Sequence, residues 1–328
     1  MVEVFAYDLI NADDELTKKI RAGCDVYVDL SKSSHQTAAQ RIHADDIHIL
    51  IDLAGYTTHA RPQILALQPA PIQVQFLGFP NTMGADFIQY LLADSWLIPE
   101  QLKSVYTEKI IYLPHAFVGA SLPIAKPTKR AEFGLPKDAT VFCVNCINAH
   151  HKIDPSVFAA WMEILRQVPD SVLWISDGAK TMRDNLRQAA ASYNIAPERL
   201  IFAPKLPLPE YLARLALADL ALDTFIYTGG SSSAATLWAG LPLLTRVGET
   251  NASRMGASIC AAAGLEQLIC DNTEAYIKRA VELVSQKQEL ATIRIQLQKQ
   301  REQLPLFDIK NFAQHLEAAY QKIWDLHE

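Results

Sequence analysis

Short runs rich in β-branched and aromatic residues alternate along the chain with amphipathic stretches of helical period, which predicts α/β architecture with mostly parallel sheets. Two series of such runs are visible. The first comprises residues 2–7, 26–30, 48–53, 72–76, 90–93 and 109–112. The second comprises residues 140–144, 172–175, 200–203 and 220–222. A proline-punctuated stretch without periodicity, residues 121–132, separates them and reads as an interdomain connection. Near the end, Phe312, Leu316, Tyr320 and Ile323 share one face of a helix that must dock on other elements. The expected organisation is a first Rossmann-like domain at 1–120, a linker at 121–132, a second Rossmann-like domain at 133–304 and a terminal crossover helix at 305–328.

Composition supports a two-domain globular body. The chain has 328 residues, about half of them apolar (50%), and 20% charged, which leaves little room for extensive disorder. Lys and Arg number 30 against 36 Asp and Glu, so a nucleic-acid partner is not expected and any anion site must be local. Five scattered cysteines, at positions 24, 143, 146, 260 and 270, lack disulfide-framework spacing and fit a reducing compartment. The opening residues lack a basic start and apolar core, and no run of about 18 uncharged apolar residues occurs, so neither a signal peptide nor a membrane span is expected. The expected location is cytoplasmic.

Four segments carry candidate chemistry. In residues 222–242 a strand runs into Tyr227-Thr228-Gly229-Gly230-Ser231-Ser232-Ser233 and then a helical pattern. The glycines permit close backbone approach, while the serines and free helix amides either favour an anion, with diphosphate as the natural guest, or simply cap a helix after a turn. The loop has neither the Gly-Lys-Ser/Thr of a P-loop nor Gly-x-Gly-x-x-Gly. In residues 142–155, Lys152 stands just ahead of a helix opened by Asp154 and Pro155, either at the ligand-facing edge of a parallel sheet to neutralise a departing diphosphate or as a solvated surface lysine. Cys143, Cys146, His150 and His151 lie close together there, yet no second pair at finger-like spacing follows, and no metal site is expected. In residues 43–61, Asp45, His48 and His59 bracket a strand and are candidates for proton transfer, or for plain hydrogen-bonded structural roles. In residues 69–85 a strand opens into a loop shaped by Gly78, Pro80 and Gly84, of the kind that lines clefts or simply turns the chain.

Taken together, the segments resemble the catalytic region of the protein O-GlcNAc transferase family, including its bacterial and Spindly-like relatives. The residues that carry the likeness are 47–57, 70–74 with 77–80, 152–155, 171–174, 222–224 with 237–240, and 248–254, in the family's order. The resemblance implies a GT-B fold, with two Rossmann-like domains facing across a cleft and a C-terminal helix docking back. It also implies a UDP-sugar held mainly by the second domain and inverting transfer to a hydroxyl, with no cofactor and no obligatory metal. Lys152 matches the diphosphate-contacting lysine, Ser231 and Ser232 the hydroxyl pair at the helix start, His48 a first-domain histidine, and Gly78 with Pro80 the loop near sugar and acceptor.

The candidate catalytic residues are therefore His48, Lys152 and Asp45. The candidate UDP-sugar-binding residues are Lys152, Asn148, Thr228, Gly229, Gly230, Ser231, Ser232 and Tyr211, and Thr82 joins Gly78 and Pro80 in the sugar and acceptor loop. UDP-GlcNAc or another UDP-sugar and a protein or peptide acceptor are the implied partners. The family usually has an acidic, ribose-binding residue where Ala235 stands, animal members have histidine at Gly230, and an amide side chain is common at Ala149. The family's upstream His-rich segment and tetratricopeptide repeats are not in this sequence, so a truncated protein is one expectation. Three alternatives stay open: a non-catalytic nucleotide binder, an asparagine-linked glucosyltransferase and a UDP-sugar 2-epimerase.

Overall fold

The computed structural model describes residues 2–124, 126–144, 150–299 and 301–327. They form two compact units. The first comprises Met1–Ala93, Glu100–Tyr112 and Leu316–Glu328, and the second Asp94–Pro99 and Leu113–His315. Residues 121–132 thus belong to the second unit, and helix Ile309–Asp325 contributes to both.

In the first unit, β1 (Phe5–Asp8) and β2 (Val26–Asp29) form a parallel pair. A second parallel sheet has the order β3 (Ile49–Asp52), β4 (Ile72–Gln75), β5 (Tyr90–Ala93) and β6 (Lys109–Tyr112). Helix His35–Ala44 is capped by the Ser34 hydroxyl on the Thr37 amide and turns Ala38, Ala39 and Ile42 inward, where they pack with Leu30, Ile64, Val28 and Leu50. Of the expected face on the terminal helix, Ile323 is fully buried here, while Leu316 and Tyr320 are half-buried.

The second unit holds six parallel strands in the order β12-β11-β10-β7-β8-β9. They are β7 (Thr140–Val144), β8 (Ser171–Ser176), β9 (Leu200–Ala203), β10 (Leu220–Leu222), β11 (Leu243–Arg246) and β12 (Ile269–Cys270). This is the doubly wound order of a dinucleotide-type sheet. Strands β11 and β12 were not among the expected runs: β11 merges with the apolar stretch after Pro242, and β12 is only two residues long. Asp154 caps helix Pro155–Gln167 by accepting from Ser156 and Val157, with Pro155 at the first turn as read from the sequence. That helix buries Val157, Phe158, Trp161, Met162, Ile164 and Leu165. Each aliphatic side chain so buried contributes roughly 1.5–3 kcal/mol relative to exposure. Among the described residues no helix is long and apolar enough to cross a membrane.

Candidate functional site

The strand order creates a crevice in the second unit. From β7 the chain proceeds outward through β8 and β9, then returns to lay β10, β11 and β12 on the other side of β7. The loops leaving β7 and β10 therefore diverge at the carboxyl edge, where open α/β sheets receive ligands. Residues 145–149, including Asn148 and Ala149, lie outside the described residues, and the chain resumes in the turn His150–Lys152. Lys152 Nζ donates to the carbonyl of Thr228 at 3.1 Å and sits 3.7 Å from the centroid of the Tyr227 ring. The lysine is thus placed on the loop that follows β10.

That loop is built on Asp223, the first residue after β10. Its carboxylate is fully buried and accepts from the amides of Thr224 (3.0 Å) and Gly229 (2.9 Å) and from the Thr245 hydroxyl (3.0 Å). A side chain at Gly256 would run into the Asp223 carboxylate and Thr245, so glycine is what lets helix Met255–Ala262 approach. Burial pushes the Asp223 carboxyl up to about 7, against the lowering effect of its hydrogen bonds and of Lys152. Tyr276, also fully buried, donates to the Asp223 carbonyl at 3.0 Å, and Trp161 Nε1 reaches the Tyr276 hydroxyl at 3.4 Å. Core packing thus reaches up to the loop.

Past Gly229, helix Ser231–Trp238 begins at Gly230 without any side-chain cap. Its first amides and the positive end of its dipole are therefore presented to an anion. Ser231 is exposed and Ser232 half-buried, while Ser233 is buried and donates to the Gly229 carbonyl at 2.8 Å. Thr228 is buried: its amide and its hydroxyl each donate to the Ala252 carbonyl at 2.9 Å, and the hydroxyl accepts from the Gly256 amide. Its part is to anchor the loop. Ala235 is buried in the second helical turn.

On the other side of β7, a small recess lies at the ends of β7, β8 and β9. Tyr211 and Arg214 on helix Leu208–Leu215 line it, together with Trp174, Ser176, Cys143 and Val144. The Arg214 guanidinium donates to the Pro204 carbonyl and lies 5.5 Å from the Trp174 ring and 5.3 Å from the Tyr211 ring. The His150 ring bonds to the Ser176 carbonyl at 2.8 Å. Burial pushes the Cys143 thiol up to about 12, against the lowering effect of Arg214, so it stays protonated. Cys146 lies outside the described residues, and among the described residues no group of three metal-capable side chains occurs.

The first-unit candidates separate into two places. His48 is exposed at the amino end of β3, its ring 5.2 Å from that of Trp324 in an edge-on arrangement. Asp45 also precedes β3 and is committed to neighbours: Tyr7 donates to it at 2.8 Å and Arg41 Nε at 3.0 and 2.9 Å. Burial raises the Asp45 carboxyl, but the bonds from Arg41 and Tyr7 outweigh that and hold it below the usual range. Gly78, Pro80 and Thr82 lie instead beyond the carboxyl end of β4, which pairs in register with β3 and so lies roughly 13 Å along the strands from His48. A Cβ on Gly78 would strike the Leu53 carbonyl, so two loops touch there, while Gln75 Nε2 holds the second of them through the carbonyls of Phe79 and Asn81. The Thr82 hydroxyl is spent on Glu108 at 2.6 Å. The structure thus does not join His48 and Asp45 to the loop of Gly78.

The profile of glycosyl transferase family 41 matches residues 1–122 and 118–316. The chain belongs to glycosyl transferase family 41. It is 37% identical over 337 residues to the probable UDP-N-acetylglucosamine–peptide N-acetylglucosaminyltransferase SEC of Arabidopsis thaliana, covering 99% of this chain and 34% of that protein. An O-GlcNAc transferase mutant from Thermobaculum terrenum superposes with a TM-score of 0.91 at 29% identity, covering 99% of this chain and 62% of that one. The fold is GT-B. A more distant structure, Anabaena Alr3699/HepE in complex with UDP and glucose, shares that fold with a TM-score of 0.63 at 11% identity, covering 96% of this chain and 91% of that one. The chain therefore spans about a third of the length of the curated relatives it matches.

Against this family 41 background, sequence reading passed over Asp223, Tyr227 and Arg214 as site residues. Asp223 had a usable signal: a carboxylate directly after an apolar strand, six residues before Gly229. Tyr227 and Arg214 had none, because an aromatic in a loop and an arginine in an amphipathic helix occur everywhere.

Proposed function

We propose that this family 41 chain is the catalytic region of an inverting glycosyltransferase that moves GlcNAc from UDP-GlcNAc to serine or threonine hydroxyls of proteins. One observation carries the reading: the Lys152 ammonium is held on the Thr228 carbonyl, beside an uncapped helix start, at the switch point of a doubly wound sheet. This arrangement offers positive charge and amide donors where a diphosphate leaving group gains negative charge. The relatives from Arabidopsis thaliana and Caenorhabditis elegans are named for GlcNAc transfer to a peptide acceptor.

In the proposed step the acceptor hydroxyl oxygen forms a bond to the anomeric carbon as the bond from that carbon to the diphosphate breaks, releasing UDP and a proton. Lys152 and the helix amides neutralise the departing charge, so the reading requires no metal or cofactor. The free thiols of Cys24, Cys143, Cys260 and Cys270 suit a reducing, cytoplasmic setting. The test is incubation with UDP-GlcNAc and a peptide pool, followed by intact-mass measurement. A hexosamine increment on peptide is the expected result. A hexose increment from UDP-glucose, or no UDP binding by calorimetry to a folded sample, overturns the reading.

A further inference from the structure

The loop between Asp223 and Gly229 carries an aromatic ring that the proposed reaction leaves without a role. Tyr227 is half-buried, and its backbone carbonyl accepts from the Thr224 hydroxyl at 2.6 Å, which ties the residue to the end of β10. The Lys152 ammonium rests 3.7 Å from the ring centroid while donating to the next carbonyl in the chain, that of Thr228, at 3.1 Å. Ring face and carbonyl are thus consecutive parts of one cradle. The ring of His151, beside Lys152 in sequence, stands 6.4 Å from that of Tyr227 at a tilt of 56°.

An aromatic face attracts an ammonium through its quadrupole, and most strongly where water is excluded. A lysine side chain otherwise samples many rotamers, each placing its charge differently. We propose that Tyr227 is a positioning residue for Lys152: its ring face and the Thr228 carbonyl hold the ammonium at the mouth of the Gly229–Ser232 loop, so that the charge is in place when the diphosphate departs. The proposal rests on the glycosyltransferase reading for its kinetic consequence, but the contact itself can be tested without turnover.

A hydrogen bond from the phenol is not what the geometry uses, so Tyr227→Phe keeps the face and Tyr227→Leu removes it at similar apolar bulk. Expected are near-native turnover for Tyr227→Phe and a kcat about tenfold lower for Tyr227→Leu, with donor KM changed less than about threefold. Unfolding temperatures should match. In a Lys152→Met background, Tyr227→Leu should cost nothing further, because the residue it positions is gone. Equal losses in Phe and Leu variants, or additive losses in the double variant, overturn the proposal.

Independently of any reaction, the side-chain methylene protons of Lys152 nearest the ammonium should show a ring-current shift in the full chain that persists in Tyr227→Phe and disappears in Tyr227→Leu. Absence of that shift in the unsubstituted protein overturns the cradle. An inactive protein that retains it sinks only the glycosyltransferase reading.

Discussion

Asp223 accepts the amide hydrogen of Gly229 at 2.9 Å, so a fully buried carboxylate holds the glycine loop that leads into helix Ser231–Trp238. A fully buried negative charge is tolerable only with compensation. Three donors and Lys152 supply it, and the carboxyl still titrates near 7 because burial disfavours its charged form.

That shift fixes the sign of a pH effect. Between the ordinary carboxyl value of 3.8 and about 7, the folded protein holds a proton on Asp223 that the unfolded chain releases. The contribution of this group is therefore fully present below 3.8 and is lost as pH rises through about 7. Asp94, buried among Trp96, Leu97, Phe117 and Ser258, is also raised by burial and acts in the same direction. Urea midpoints measured from pH 4 to 8 should fall less steeply with rising pH in Asp223→Asn than in the unsubstituted chain. Superimposable slopes would show that Asp223 is not one of the titrating groups.

Lys152→Ala should reduce kcat by about 100- to 1000-fold, the usual effect of deleting one preorganised donor to developing charge. Its side chain adds little to the core, so the melting temperature should move by only a few degrees. Kinetics and calorimetric melting on the same preparation make the comparison. A collapse in stability matching the loss of rate would assign the lysine to structure instead.

His48 lies at the amino end of β3 and Asp45 is held by Arg41 and Tyr7, so neither is placed on the carboxyl edge of its sheet. His48→Ala should leave peptide glycosylation within about twofold of the parent, because parallel sheets bind ligand at the opposite edge. Asp45→Asn should act on stability rather than rate, since it weakens the Arg41 pair. A loss of rate above about 100-fold in His48→Ala, with the fold intact, would restore the histidine to the chemistry.

Two glycines separate close packing from open space. Alanine at Gly78 drives its methyl into the Leu53 carbonyl, and overpacking of this kind costs about 1–3 kcal/mol. Alanine at Gly230 meets only Met255 Sδ at 3.5 Å, an ordinary contact. Thermal melts should therefore drop clearly for Gly78→Ala and scarcely for Gly230→Ala. The reverse order would mean that the Leu53 and Gly78 loops do not touch in solution.

The sequence by itself determined the layered α/β architecture, because a buried parallel strand must be an apolar run of a few residues and the helix between two strands must show one apolar face. Ten of the strands are legible in this way; β11 and β12 are not, one hidden in a continuous apolar stretch and the other too short to show a pattern. The turn from β10 into helix Ser231–Trp238 was legible too, since Gly229, Gly230 and the serines are residue types that a strand-to-helix turn favours. Only the tertiary structure decided which residues act together. Sheet order alone brings Lys152 to a loop that begins 71 residues later at Asp223, and strand polarity alone sets His48 and Asp45 apart from Gly78 and Thr82. Those relations depend on where strands pair and which edge their ends occupy, and long-range pairing leaves no periodic trace in the local sequence that a reader could follow.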